Sequence, residues 1–230
     1  MKKFSVALFI ILPLAVMSQN IKVVYDIVSD GKINKTVLEA NDSISVYGLI
    51  TKSDPSSFFI KLKNQSRSYS TNRITNVRFY VKDSLHSMQW QLGNDTMRLL
   101  NQLCLSAKTA FRGRHYNAYY APGIPLSDGP WKFGGLPGLI LWIKADDGYA
   151  EWRATEMTQN ADGKIDASAT TAHPFLEWVD FVAAYKDVIQ KYTKLLRSNG
   201  TLDSQTTAQL KITSLEIFFP ELQTGDGITY

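Results

Sequence analysis

The sequence predicts an α+β protein: a curved, mostly antiparallel β-sheet, half-barrel-like, covered by one long C-terminal amphipathic helix. Two observations lead there. Short runs rich in Val, Ile, Tyr and Phe recur between clusters of Asn, Asp, Gly and Ser, spaced as antiparallel strands are. A single segment, from Pro174 to Arg197, instead repeats its apolar residues at helical spacing. A sheet of that length with one covering helix is most simply accommodated by curving the sheet around the helix.

The strands are read in order. Ile21–Val28 places Val23, Tyr25 and Ile27 on one face. Ser43–Ile50 and Ser57–Lys63 follow, divided by the turn-forming Lys52-Ser53-Asp54-Pro55. Ile74–Val81, Ser87–Leu92, Leu99–Lys108, Arg114–Ala121, Leu139–Lys144 and Tyr149–Glu156 continue the series, and Asp146-Asp147-Gly148 reads as a hairpin turn. In the helix, Phe175, Trp178, Val182, Tyr185 and Ile189 mark the apolar side. Pro174 suits its first turn, Lys191, Lys194 and Arg197 its C-terminal dipole, and Gly200 its end. A last strand is expected over Lys211–Phe219. An apolar cavity would remain wherever the helix left the concave face uncovered.

Met1, Lys2 and Lys3 precede an apolar run from Phe4 to Met17, the pattern of a secretory signal, with Val16 and Ser18 suited to cleavage before Gln19. Residues 1–18 are therefore expected to be a signal peptide and residues 19–230 one domain. The run is too short to span a bilayer, and no second apolar stretch is long enough, so no transmembrane segment is expected. Losing Lys2 and Lys3 lowers the formal net charge from +4 to +2, which does not favour nucleic acid as a partner. One cysteine, Cys104, excludes an internal disulfide.

Catalytic patterns are sparse. His86, His115 and His173 lie far apart and without Cys or His partners at ligand spacing, so no metal and no cofactor are expected. There is no G-x-S-x-G elbow, and Cys104 in an apolar strand reads as a buried, inert thiol. Two segments stand out. In Arg112–Tyr120, alternation puts Arg114, Tyr116, Ala118 and Tyr120 on one face and His115, Asn117 and Tyr119 on the other. That face suits either carboxylate or phosphate recognition by Arg114 or cross-strand Arg–Tyr packing. The second is the turn Gly129–Ile140, where Gly129, Pro130, Gly135, Leu136, Pro137 and Gly138 imply a constrained backbone.

Gly135-Leu136-Pro137-Gly138-Leu139-Ile140 is the hexapeptide of the GLPGLI family, which this chain resembles. Gly113-Arg114-x-Tyr116-x-Ala118-Tyr119-Tyr120, Ile124-Pro125, Gly129-Pro130-Trp131-Lys132-Phe133, Trp90-Gln91-Leu92 and Leu103-Cys104 to Ala107-Lys108 resemble its other blocks, in the same order. The family pattern has Trp where this chain has Tyr119. The resemblance implies an exported protein of a Gram-negative bacterium, in the periplasm or at the cell surface, and implies no activity. The sheet also resembles the half-barrel of periplasmic lipoprotein carriers.

Three functions follow as expectations. The first is a non-enzymatic binding or chaperone-like module for a lipid, hydrophobic peptide or outer-membrane protein segment, with Arg114, Tyr116, Tyr119, Trp131, Phe133 and Trp178 as binding residues. The second is docking on an outer-membrane transporter or secretion component through exposed Trp131, Lys132 and Phe133. The third is an enzyme using Arg114, His115 and Tyr116.

Overall fold

A computed structural model of the chain describes residues 20–29, 31–49, 57–74, 76–85, 87–200 and Glu216. The signal-peptide segment and the Lys211–Phe219 strand, apart from Glu216, lie outside the described residues, as do His86 and the Lys52–Pro55 turn.

The strands are β1 (Ile21–Ser29), β2 (Lys32–Ala40), β3 (Ile44–Leu49), β4 (Phe59–Leu62), β5 (Arg67–Ile74), β6 (Val77–Ser84), β7 (Gln91–Leu99), β8 (Gln102–Phe111), β9 (Arg114–Ala121), β10 (Leu139–Ala145), β11 (Ala150–Gln159) and β12 (Leu176–Glu177), followed by the helix α1 (Trp178–Ser198). Together they form one open sheet in the order β12-β6-β5-β4-β3-β2-β1-β11-β10-β9-β8-β7. Every pairing is antiparallel except that of the two-residue β12 with β6. Two meanders, β1–β6 and β7–β11, are thus joined side by side through β1 and β11.

That order dictates a curled sheet. Strands β6 and β7 are ten spacings apart along the sheet, roughly 48 Å at about 4.8 Å each. The chain passes from Ser84 to Gln91 in seven steps, which reach at most about 25 Å. A flat sheet could not be bridged by this link. A contact over three strand spacings agrees: Trp152 Nε1 on β11 donates to the Tyr47 hydroxyl on β3 at 2.9 Å.

The β8–β9 turn is formed by Arg112 and Gly113 and the β7–β8 turn by Leu100 and Asn101, all with positive φ, as tight two-residue hairpins require. The latter turn divides what the sequence reading took as one strand, Leu99–Lys108. The Asp146–Gly148 turn forms where expected, Gly148 N donating to the Ala145 carbonyl at 3.0 Å.

The helix covers one end of the sheet's inward face, where Ile74 and Val81 stand on the same side as Ser70 and Asp83. The buried residues of α1, Phe181, Tyr185 and Ile189, form a separate cluster with Ile74 and Val81 of β5 and β6. Val179 and Leu195 are exposed, and Leu176–Glu177 pairs with β6 before the helix begins at Trp178. The rest of the hollow is filled by the long β9–β10 connection: Ile124, Leu126, Trp131, Phe133 and Leu136 all belong to the main core, with Tyr25, Leu38, Tyr116, Ile143 and Trp152. A connection can be buried only if its backbone polar groups find partners, and here they do. Leu139 N donates to Ile124 O at 3.2 Å and Ile140 N to Asp128 O at 2.9 Å.

Candidate functional site

The β9–β10 connection is held from three sides. From β4, buried Lys61 reaches across the hollow and donates to Asp128 Oδ1, to the Gly129 carbonyl at 3.0 Å and to the Phe133 carbonyl at 2.9 Å. All three ammonium donors are thereby used. Lys63 Nζ lies 2.6 Å from Asp128 Oδ2, and Gly129 N donates to Asp128 Oδ1 at 2.8 Å. Burial alone would raise the Asp128 carboxyl, but Lys61 and Lys63 hold it below the usual carboxylate range. On the far side, Trp90 Nε1 donates to the Gly134 carbonyl at 2.9 Å, so the β6–β7 link is tied to the same turn.

The turn's glycines answer to this crowding. A Cβ at Gly138 would lie 2.4 Å from the Ala121 carbonyl oxygen, and Gly135 has φ +89°. Between the two Lys61-bound carbonyls sits Trp131, with φ +49°, a conformation that a bulky residue adopts only when its surroundings force it. Its ring stacks parallel to Trp152 at 6.1 Å and meets Phe133 edge-on at 5.3 Å.

Trp131 also lines a groove of about 290 Å³ between the connection and strands β1 to β5. Ile27, Tyr47, Leu49, Phe58 and Phe59 supply apolar walls; Thr36, Ser70, Asn72, Lys132 and Glu216 supply polar groups. Burial raises the Tyr47 hydroxyl to about 12, so it stays protonated across the neutral range. The groove falls at the lower end of the roughly 300–1,000 Å³ usual for small-molecule sites.

Beside it lies a buried group of four charges. Asp83 of β6 pairs with Arg112 at 2.7 Å and with Lys132 at 3.2 Å, and Glu216 lies 2.5 Å from Lys132 and 3.8 Å from Arg112. Trp178, the first residue of α1, roofs both cations, 3.9 Å from the Arg112 guanidinium and 4.3 Å from the Lys132 ammonium. Burial pushes the Glu216 carboxyl above its usual range, against the pull of Lys132 and Arg112.

The sequence candidates do not converge on one site. Arg114 and Tyr116 face inward and are buried, as the alternation predicts, while Tyr119 is half-buried on the other face against Trp142, 5.6 Å away. Arg114 pairs with Asp147 and lies over the Tyr149 ring at 4.1 Å, both of them in the turn between β10 and β11. His115 is exposed on the face opposite Tyr116, and it lines a hollow of about 460 Å³ with Arg114, Asp146 and Asp147. Trp131 and Phe133 are 9% and 0% exposed. This corrects the expectation that they project as docking anchors: the turn folds inward because Lys61 and Asp128 draw it into the hollow. His173 stacks on Tyr80 at 3.7 Å, and Cys104 is buried, its thiol pushed up by that burial. Among the described residues no group of three or more His, Cys, Asp or Glu is placed to hold a metal ion, and no helix is long and apolar enough to cross a membrane. Lys61, Asp83, Asp128 and Glu216 escaped the sequence reading. A lysine or an aspartate at an inward strand position is the signal that marks Lys61 and Asp83 once the register is known.

No curated protein matches this chain. PNGF-II, solved in the C2 and P21 space groups, superposes with TM-scores of 0.56 and 0.57 at 19% and 17% sequence identity, over 76% of this chain in both cases. The chain spans about a third of PNGF-II, 33% and 34%, and at such identities the likeness is one of fold. A family model described as "Protein of unknown function (Porph_ging)" matches residues 61–142, a stretch that begins at Lys61 and runs through the whole β9–β10 connection to Trp142.

Proposed function

We propose that this chain is an exported, non-enzymatic binding module of the Gram-negative envelope, and that its ligand site is the groove floored by Trp131. One observation carries the reading. Trp131 is held in a left-handed conformation between the Gly129 and Phe133 carbonyls, which both accept from buried Lys61, and its ring lines the groove. Backbone strain of this kind, about 1–3 kcal/mol, persists where surrounding structure over-determines it, and it clusters at ligand sites. Apolar walls with a few polar groups suit a hydrophobic or amphipathic ligand. The half-barrel-like curl of the sheet and the resemblance of Gly135–Ile140 to the GLPGLI hexapeptide support a carrier-like role, and the apolar run Phe4–Met17 supports export.

The test is native mass spectrometry of full-length protein expressed with its own N-terminus and recovered gently from a periplasmic extract. The expected result is a chain beginning at Gln19 that carries an extra mass lost on denaturation. Asn72→Trp, which fills the groove from β5, abolishes that mass while leaving the circular dichroism unchanged. A bare wild-type mass from a folded protein, or an adduct that Asn72→Trp retains, overturns the assignment of the groove. An intact Met1 in the extract overturns export.

A further inference from the structure

The four-charge group beside the groove is closed by an acid from a remote part of the chain. Arg112 and Lys132 are both largely withdrawn from water and both roofed by Trp178. Asp83 offers the same oxygen, Oδ2, to both cations, at 2.7 and 3.2 Å. One carboxylate cannot balance two desolvated cations, and the second negative charge is supplied by Glu216, 5% exposed, with Oε1 at 2.5 Å from Lys132. Lys132 and Glu216 also line the groove, so this carboxylate can be reached from the ligand's side.

We propose that Arg112, Lys132 and Trp178 form a carboxylate-recognition site, occupied here by the chain's own Glu216, and that the groove's ligand is a single-chain amphipath whose acid group displaces Glu216 there. The inference rests on the groove being the ligand site. Its chemistry is that of the resident contact. An acid head on Lys132 and Arg112 makes charge-assisted hydrogen bonds, its charge restores the balance with Asp83, and its apolar chain lies along Tyr47, Phe58 and Phe59. Glu216 already sits on these cations, 2.5 Å from Lys132 and 3.8 Å from Arg112, so it and an outside acid exclude each other there. A tethered carboxylate of this kind is an internal competitor, which sets how tightly an outside acid must bind to displace it.

The probes are dodecanoate and dodecanol, which share an alkyl chain and differ in the acid group. They are titrated into wild-type full-length protein and the Glu216→Ala and Glu216→Gln variants, with tryptophan fluorescence as the readout, since Trp131 and Trp178 flank the site. Dodecanoate is expected to bind both variants about tenfold or more tighter than wild type, as removal of an internal competitor requires, with dodecanol affinity unchanged. Lys132→Met in the Glu216→Ala background is expected to cancel the gain. Equal dodecanoate affinity in wild type and variants, with dodecanol binding intact, overturns the carboxylate site and leaves the groove reading standing. If neither alkyl probe binds any folded form, the groove reading and this inference fall together.

Discussion

Lys61→Met removes the contact that draws the β9–β10 connection into the hollow. The substitution keeps an unbranched apolar stem and deletes the ammonium that serves Asp128, the Gly129 carbonyl and the Phe133 carbonyl. Breaking a buried ion pair by deleting one partner costs about 3–5 kcal/mol, because the other charge is left desolvated. Asp128 keeps Lys63 at 2.6 Å and the Gly129 N–H at 2.8 Å, which places the expected loss at the lower end, about 3 kcal/mol. For a chain of this size that is a fall in Tm of about 6–12 °C. Urea denaturation with fluorescence detection gives the free energy, and an unchanged m-value shows that the extent of unfolding is the same. The double variant Lys61→Met/Asp128→Asn should cost less than the sum of its parts by about 1–3 kcal/mol, since the two groups act as one unit. A loss below about 1 kcal/mol for Lys61→Met, or strict additivity in the double variant, would refute the clamp.

Three further outcomes test the surrounding structure. Gly138→Ala should destabilise by about 2–3 kcal/mol in urea melts, because its Cβ meets the Ala121 carbonyl at 2.4 Å, whereas Gly148→Ala, with open space and only a left-handed backbone, should cost about 1 kcal/mol; equal losses would contradict the packing at Gly138. The folded Asp128 carboxyl titrates below its unfolded value of 3.8, so its contribution is complete above that pH and is lost as the pH falls below it. The stability gap between wild type and Asp128→Asn should therefore be full at neutral pH and narrower at about pH 3; a gap that widens on acidification would show that the carboxylate is not stabilised by Lys61 and Lys63. Cys104, buried and with its thiol pushed up, should react with a thiol reagent in native protein only at the rate of opening and at once in urea. Immediate labelling of the folded chain would place it at the surface.

How much of this was legible depends on which half of the sheet is considered. In β1, β9, β10 and β11 the inward positions are filled by Val23, Tyr25, Tyr116, Ala118, Ile143 and Trp152, so hydrophobic alternation shows both strand and face. The inward positions of β4, β5 and β6 include Lys61, Ser68, Ser70 and Asp83. They share their face with Phe59, Ile74 and Val81, so the hydrophobic period of these strands is interrupted by polar residues. Strand β5 was missed outright for this reason, while β4 and β6 were found through Phe59 and Val81. Strand β2 was missed too, because only its second half, from Thr36 to Ala40, is covered. The helix shows a similar limit: its periodicity establishes that one side of α1 is buried, but not which part of the sheet's inward face buries it. What belongs in the hollow is decided by the Ser84–Gln91 link and by Lys61: the first forces the sheet to curl, and the second needs three acceptors inside the curl. The connection carrying Asp128, Gly129 and Phe133 supplies them. The polar faces that hide these strands from a hydrophobic pattern are therefore the ones that shape the groove, and a lysine or aspartate at an inward strand position is the sequence signal that points to it.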